Sequence, residues 1–144
     1  MDAHHAWRRL ESPVTLVDTN VLLDFFKRDP VWMPWSAQQL RLGQARGLAI
    51  NIVVYAELAG HPGFGFDLDA FLSEQSISVP DISRSAAREA ALAFRQYRQR
   101  GGARTGILPD FFIGAQALTD GYPLLTRDAA RYRSYFPALE LICP

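Results

Sequence analysis

The chain has 144 residues, 49% hydrophobic and 21% charged, with a formal net charge of zero, enough length for one domain with a buried core. No apolar run nears the roughly 20 residues of a membrane span. The first nine residues hold no apolar signal core, and the single Cys143 excludes an internal disulfide, so a cytoplasmic protein is expected. Zero net charge argues against a protein that coats polyanions. Lys27 is the only lysine, however, and every other basic residue is arginine. Arginine suits bidentate phosphate contacts, and it is equally what a GC-rich genome favours.

Residues 1–13 read as an irregular lead-in closed by Pro13, with His4 and His5 too few to form a metal tract. Val14–Val17 is a short apolar run that predicts a buried strand, with Asp18 at its carboxyl end. Asn20 is expected to cap a largely apolar helix from about Val21 to Lys27. A turn-rich break, Asp29–Trp35, follows. Its Trp32 and Trp35 fit a cover for the core edge better than a partner-binding ridge. Ser36 is placed as the cap of a helix through Arg46 that Gly47 ends. Leu48–Val54 predicts a second buried strand that runs into Tyr55-Ala56-Glu57.

Gly60–Gly65 is a loop by composition, residues 67–74 a short helix, and Ile77–Val79 a short strand ended by Pro80. Ser83 caps the longest helix, to about Arg100. At about 100° per residue, Arg84, Arg88, Arg95 and Arg98 share one stripe, opposite Ala86, Ala90, Ala93, Phe94 and Tyr97. Solvated charge is the usual content of such a face. With Glu89 the one acid in the segment, contact with phosphate or an acidic partner gains weight. A loop, Gly101–Gly106, leads to a helix around Pro109–Leu118 that Gly121 ends. Pro123–Thr126 is a strand, Ala129–Tyr135 a short helix and Ala138–Ile142 a final strand. Alternating strands and helices imply βαβ units, a mainly parallel sheet with helices on both faces, and one domain over residues 14–144.

In that layout Asp18 and Asp128 follow strands at equivalent carboxyl edges, where open α/β sheets bind ligands. Glu57 can lean over the same edge, and Asp110 stands early in its helix. Gathering such carboxylates raises their pKa values through repulsion and desolvation, and a hard divalent cation with oxygen ligands relieves this. Each acid taken singly is more often a cap or a surface charge.

Four segments, read together, add to this. They are Leu16-Val17-Asp18-Thr19-Asn20-Val21-Leu22-Leu23-Asp24, Val53-Val54-Tyr55-Ala56-Glu57-Leu58, Leu108-Pro109-Asp110-Phe111-Phe112-Ile113-Gly114-Ala115-Gln116-Ala117 and Leu124-Leu125-Thr126-Arg127-Asp128-Ala129-Ala130-Arg131-Tyr132. In order and spacing the chain resembles a PIN domain, and within that family a VapC-type toxin of a toxin–antitoxin pair. The resemblance implies a three-layer α/β/α fold with a five-stranded parallel sheet. It implies a Mg²⁺- or Mn²⁺-dependent endoribonuclease that cleaves RNA with metal-activated water. It carries the acidic metal-binding positions onto Asp18, Glu57, Asp110 and Asp128, and the small polar helpers onto Asn20 and Thr126. Pro109 departs from the alanine often found before the third acid, a change that a first helical turn tolerates. A VapB-type antitoxin and a homodimer are the implied partners, the antitoxin in an apolar groove near the first helix and Trp32/Trp35.

Asp24, four residues after Asn20, is left outside the expected site. Two other readings compete. One is the same fold as a non-catalytic RNA-binding or assembly module. The other is a phosphotransfer protein with Asp18 as nucleophile, which the absence of any lysine but Lys27 disfavours.

Overall fold

The computed structural model describes residues 14–63, 67–104 and 106–144. The expected lead-in at residues 1–13, with its two histidines, lies outside the described residues, as do 64–66 and 105 in the two expected loops.

Five short strands build the centre: β1 (Thr15–Val17), β2 (Leu48–Ala49), β3 (Ile77–Ser78), β4 (Leu124–Leu125) and β5 (Leu141–Ile142). All pair in parallel, in the order β3-β2-β1-β4-β5. Among the described residues seven helices flank them: α1 (Thr19–Lys27), α2 (Met33–Gln44), α3 (Ile52–Ala59), α4 (Leu68–Glu74), α5 (Arg84–Gln99), α6 (Leu108–Asp120) and α7 (Ala129–Tyr135). This is the expected three-layer α/β/α arrangement. The chain steps outward from β1 through β2 to β3, then crosses to β4 on the other side of β1. The β1/β4 boundary is therefore the topological switch point, where such sheets open a crevice. The register puts Val17 beside Leu125, so the residues that follow, Asp18 and Thr126, leave the sheet side by side.

The core explains the apolar runs. Leu16, Val17, Ala49, Ile50, Leu124 and Leu125 are essentially inaccessible, as strands covered on both faces must be. Several helix limits differ from expectation. The cap of α1 is Asp18 and not Asn20: Asp18 is extended (φ −73°, ψ 151°) and its carboxylate accepts the Thr19 N–H, so the helix starts earlier than Val21. Ile52-Val53-Val54 belongs to α3 and not to the second strand. The Asn51 side chain accepts the Val54 N–H at 2.9 Å, and this cap turns a β-branched run into a helix. Likewise α2 starts at Met33 with Pro34 in its first turn, so Ser36 is an interior residue rather than a cap. The caps expected at Ser83 and Gly121 are present, the latter left-handed at φ 74°.

Close packing of α6 on α7 places one more side chain. A Cβ at Gly114 would stand 2.6 Å from the Phe136 ring and 3.1 Å from Tyr132. The missing side chain lets α7 settle onto α6 and drives Tyr132 inward, to 1% exposure.

Candidate active site

Asp18 is the hub. It is 4% exposed and almost every acceptor site on it is used. Oδ1 accepts the Thr19 N–H at 2.8 Å. Oδ2 accepts from the Thr126 hydroxyl at 2.8 Å, the Tyr132 hydroxyl at 3.0 Å and the Asn20 amide at 3.4 Å. Burial pushes its pKa up, these hydrogen bonds pull it down, and the charge of Asp128 adds a smaller push upward. Such a carboxylate is held in one orientation and is poorly presented as a nucleophile.

Asn20 and Thr126 both donate to the Asp18 carboxylate. Asn20 faces Asp18 through its amide and accepts the Arg127 N–H at 3.3 Å. Thr126 is fully buried and also accepts the Asp128 N–H at 3.0 Å, which ties the β4–α7 turn to β1. Glu57, on α3, accepts from the Thr19 hydroxyl at 3.0 Å. Its pKa is raised by partial burial and by the charge of Asp18.

Asp110 completes the group from the first turn of α6. Burial raises its pKa to about 6 against the pull of Arg131, and the charges of Asp18, Glu57 and Asp128 push the same way. All four acids thus share one electrostatic environment at the carboxyl edge of the sheet.

Three participants were not read from the sequence. Arg131 pairs with Asp110 and lies 3.4 Å from Asp128, a cation set between two of the four acids. Tyr132 and Thr19 hold Asp18 and Glu57. The spacing offered one signal: Asp128 and Arg131 are three residues apart, neighbours on a helix face.

Asp24 stands apart from this cluster. It is buried, and Arg127 grips it twice, Nε to Oδ2 at 2.5 Å and Nη2 to Oδ1 at 2.9 Å. Ser36 adds a third bond at 2.8 Å. The Arg127 guanidinium lies 5.1 Å over the Trp32 ring, and Trp35 packs on the core. The cover role expected of the tryptophans holds for Trp35, whereas Trp32 mainly supports Arg127.

The donor set fits a hard divalent cation: carboxylate oxygens, mutually repelling and partly desolvated. Among the described residues no three acids are spaced to hold a cation as they stand. Arg131 pairs with Asp110 and approaches Asp128 at 3.4 Å in this arrangement. None of the described helices is long and apolar enough to cross a membrane.

The PIN domain family model matches residues 15–136. A comparison with curated protein sequences gave no significant match. Solved structures with the same fold include VapBC2 from Rickettsia felis bound to a promoter DNA fragment, at TM-score 0.68 and 20% identity, over 90% of this chain and 98% of that one. A Klebsiella pneumoniae toxin–antitoxin complex gives TM-score 0.64 and 21% identity, over 89% and 95%. DNA-bound VapBC from Salmonella typhimurium gives 0.67 and 16%, over 91% and 98%. With the matched segment spanning β1 through α7 and the four acids on the edges where its sheet opens, the chain belongs to the PIN domain family.

Proposed function

We propose that this protein is a Mg²⁺- or Mn²⁺-dependent endoribonuclease, the VapC-type toxin of a type II toxin–antitoxin pair acting in the cytoplasm. The observation that carries the reading is the under-compensated acidic cluster. Asp18, Glu57 and Asp128 all act on Asp110 as like charges, and Arg131, shared between Asp110 and Asp128, is the one arginine paired within the group among the described residues. Purely structural acids are normally neutralised by their partners. Asp18 and Asp110 would hold the cation, with Glu57 and Asp128 completing the pocket and Asn20 and Thr126 fixing the orientation of Asp18. When bound, a divalent cation supplies water activation and charge stabilisation at phosphorus. The exposed arginine stripe of α5 (Arg84, Arg88, Arg95, Arg98) offers the RNA backbone an electrostatic track.

The partner reading draws on the similar structures, which are toxin–antitoxin complexes. An apolar groove of about 630 Å³ runs beside α1, lined by Phe25, Phe26, Met33 and Phe71, with Arg28 and Glu74 at its rim. A VapB-type antitoxin peptide would lie here, close to the Trp32 segment, and could extend a basic side chain to the acidic cluster. Homodimer formation accompanies this reading. The alternative, a non-catalytic RNA-binding or assembly module, keeps the fold and needs no cation.

Cleavage of a tRNA and rRNA panel, with Mn²⁺ and with chelator, separates the two. The expected result is cleavage that chelator abolishes and Asp18→Asn eliminates, together with a saturable Mn²⁺-induced rise in Tm that Asp18→Asn weakens. Cleavage that survives Asp18→Asn, or an unchanged Tm, would overturn the metal-dependent mechanism.

A further inference from the structure

A second cavity, of about 530 Å³, opens against the acidic cluster and is lined by Ala103, Arg104, Gly106, Ile107, Asp110 and Arg131. Its volume falls in the roughly 300–1,000 Å³ range of small-ligand sites. Its charged lining is two arginines to one carboxylate. Arg131 is already engaged with Asp110 and Asp128. Arg104 is exposed and has no carboxylate within ion-pair distance among the described residues.

The loop that carries Arg104 is fastened down. The Gly102 N–H donates to the Tyr97 carbonyl at 2.9 Å, and the Arg104 N–H donates to the Tyr97 hydroxyl at 2.9 Å. A Cβ at Gly102 would stand 2.4 Å from the Tyr97 ring, so only glycine lets the loop lie this close. Tyr97 is itself locked edge-on against Phe111 and Tyr135, at 5.8 and 6.1 Å. The wall of the cavity therefore rests on the core through Tyr97, and it carries Arg104, which has no ion-pair partner among the described residues. Ile107, at the start of α6, lines the same cavity.

We propose that this cavity seats a backbone phosphate of the RNA strand next to the scissile bond, held by Arg104 and Arg131. The inference rests on the ribonuclease reading and adds the place where the strand is gripped beside the acids. Arg131 faces both ways. It offsets Asp110 and Asp128 on one side and meets the phosphate on the other, while Arg104 supplies the charge that nothing in the described protein neutralises.

The test is binding of a short fluorescein-labelled single-stranded RNA in chelator, followed by anisotropy between about 50 and 200 mM salt. Arg104→Gln is expected to weaken binding about ten-fold at the lower salt. It should also flatten the plot of log K against log salt by about 0.7, the value for one lost single-strand phosphate contact. Gly102→Ala, which pushes the loop off Tyr97, should give a similar loss. Arg46→Gln removes an equal charge at the far edge of the sheet and should change neither quantity. In Mn²⁺-supported cleavage, Arg104→Gln should raise KM with kcat nearly unchanged. If Arg104→Gln behaves like Arg46→Gln while the wild type binds and cleaves RNA, the phosphate site is overturned and the nuclease reading stands. If the wild type neither binds nor cleaves RNA, both fall together.

Discussion

Arg127 and Arg131 lie one helical turn apart in the chain, and each pairs with an aspartate, yet the two pairs do different work. Arg127 meets Asp24 through two parallel bonds, with the Asp24 side chain only 4% exposed. Ser36 fills a further acceptor site and Trp32 lies under the guanidinium. Arg131 is shared between Asp110 and Asp128, whose side chains are 21% and 42% exposed, and burial raises the pKa of Asp110 to about 6 against the pull of that charge. One arginine for one buried carboxylate makes a closed joint between α1, α2 and the β4–α7 turn. One arginine shared by two of four clustered acids makes an open arrangement. The balance of charge, not the presence of an ion pair, separates the structural pair from the candidate functional one.

Breaking the closed joint should have the largest effect on stability. Arg127→Ala leaves Asp24 buried without its partner, and we expect a loss of about 3–5 kcal/mol in urea-unfolding measurements. A loss under about 1 kcal/mol would mean that Asp24 finds solvent, and that the joint is weaker than its geometry.

The open pair should respond in the opposite direction. The pKa of Asp110 is raised from 3.8 to about 6 in the folded state. Its contribution to stability is therefore fully present below about pH 3.8 and is lost as pH rises through about 6. Asp110→Asn removes that dependence. Near neutral pH, without divalent cations, it should stabilise the protein by about 1–2 kcal/mol after allowance for solvent screening, even as cleavage disappears. Stability curves from pH 4 to 7 that run parallel for wild type and variant would contradict the shift.

The smallest expected effect is that of Tyr132→Phe. It removes one of the bonds to Asp18 and should cost about 1 kcal/mol. Because Thr126, Asn20 and the Thr19 N–H still hold Asp18, activity should fall only modestly. A loss of activity as complete as that from Asp18→Asn would make Tyr132 a participant in the reaction rather than a support.

Much of this was legible beforehand where a local signal and the global pattern agreed. The run to Asp18, the caps Ser83 and Gly121, and the arginine face of α5 all follow from side-chain periodicity and end chemistry. Legibility failed where two signals competed for one segment. Ile52-Val53-Val54 is β-branched and reads as strand, yet Asn51 immediately before it is a cap, and the cap prevailed. Asp18 and Asn20 are both good caps two residues apart, and the paired sheet edge decided for Asp18. Pro34 suits a turn and a first helical turn equally well, so Ser36 reads as a helix start while the helix begins at Met33.

The sequence by itself determined the alternation of strands and helices and the parallel sheet, and its resemblance to a PIN domain pointed to the four acids. The alternation and the sheet depend on periodicity and on turn residues. Only the tertiary structure decided what neutralises what. Asp24 and Arg127 are 103 residues apart, Asp18 and Tyr132 are 114, and Asp110 and Arg131 are 21. No periodicity links such positions, because the contacts arise when β4 crosses over to lie beside β1 and α7 sinks onto Gly114. That crossing sends one arginine to a buried aspartate and sets the other between Asp110 and Asp128.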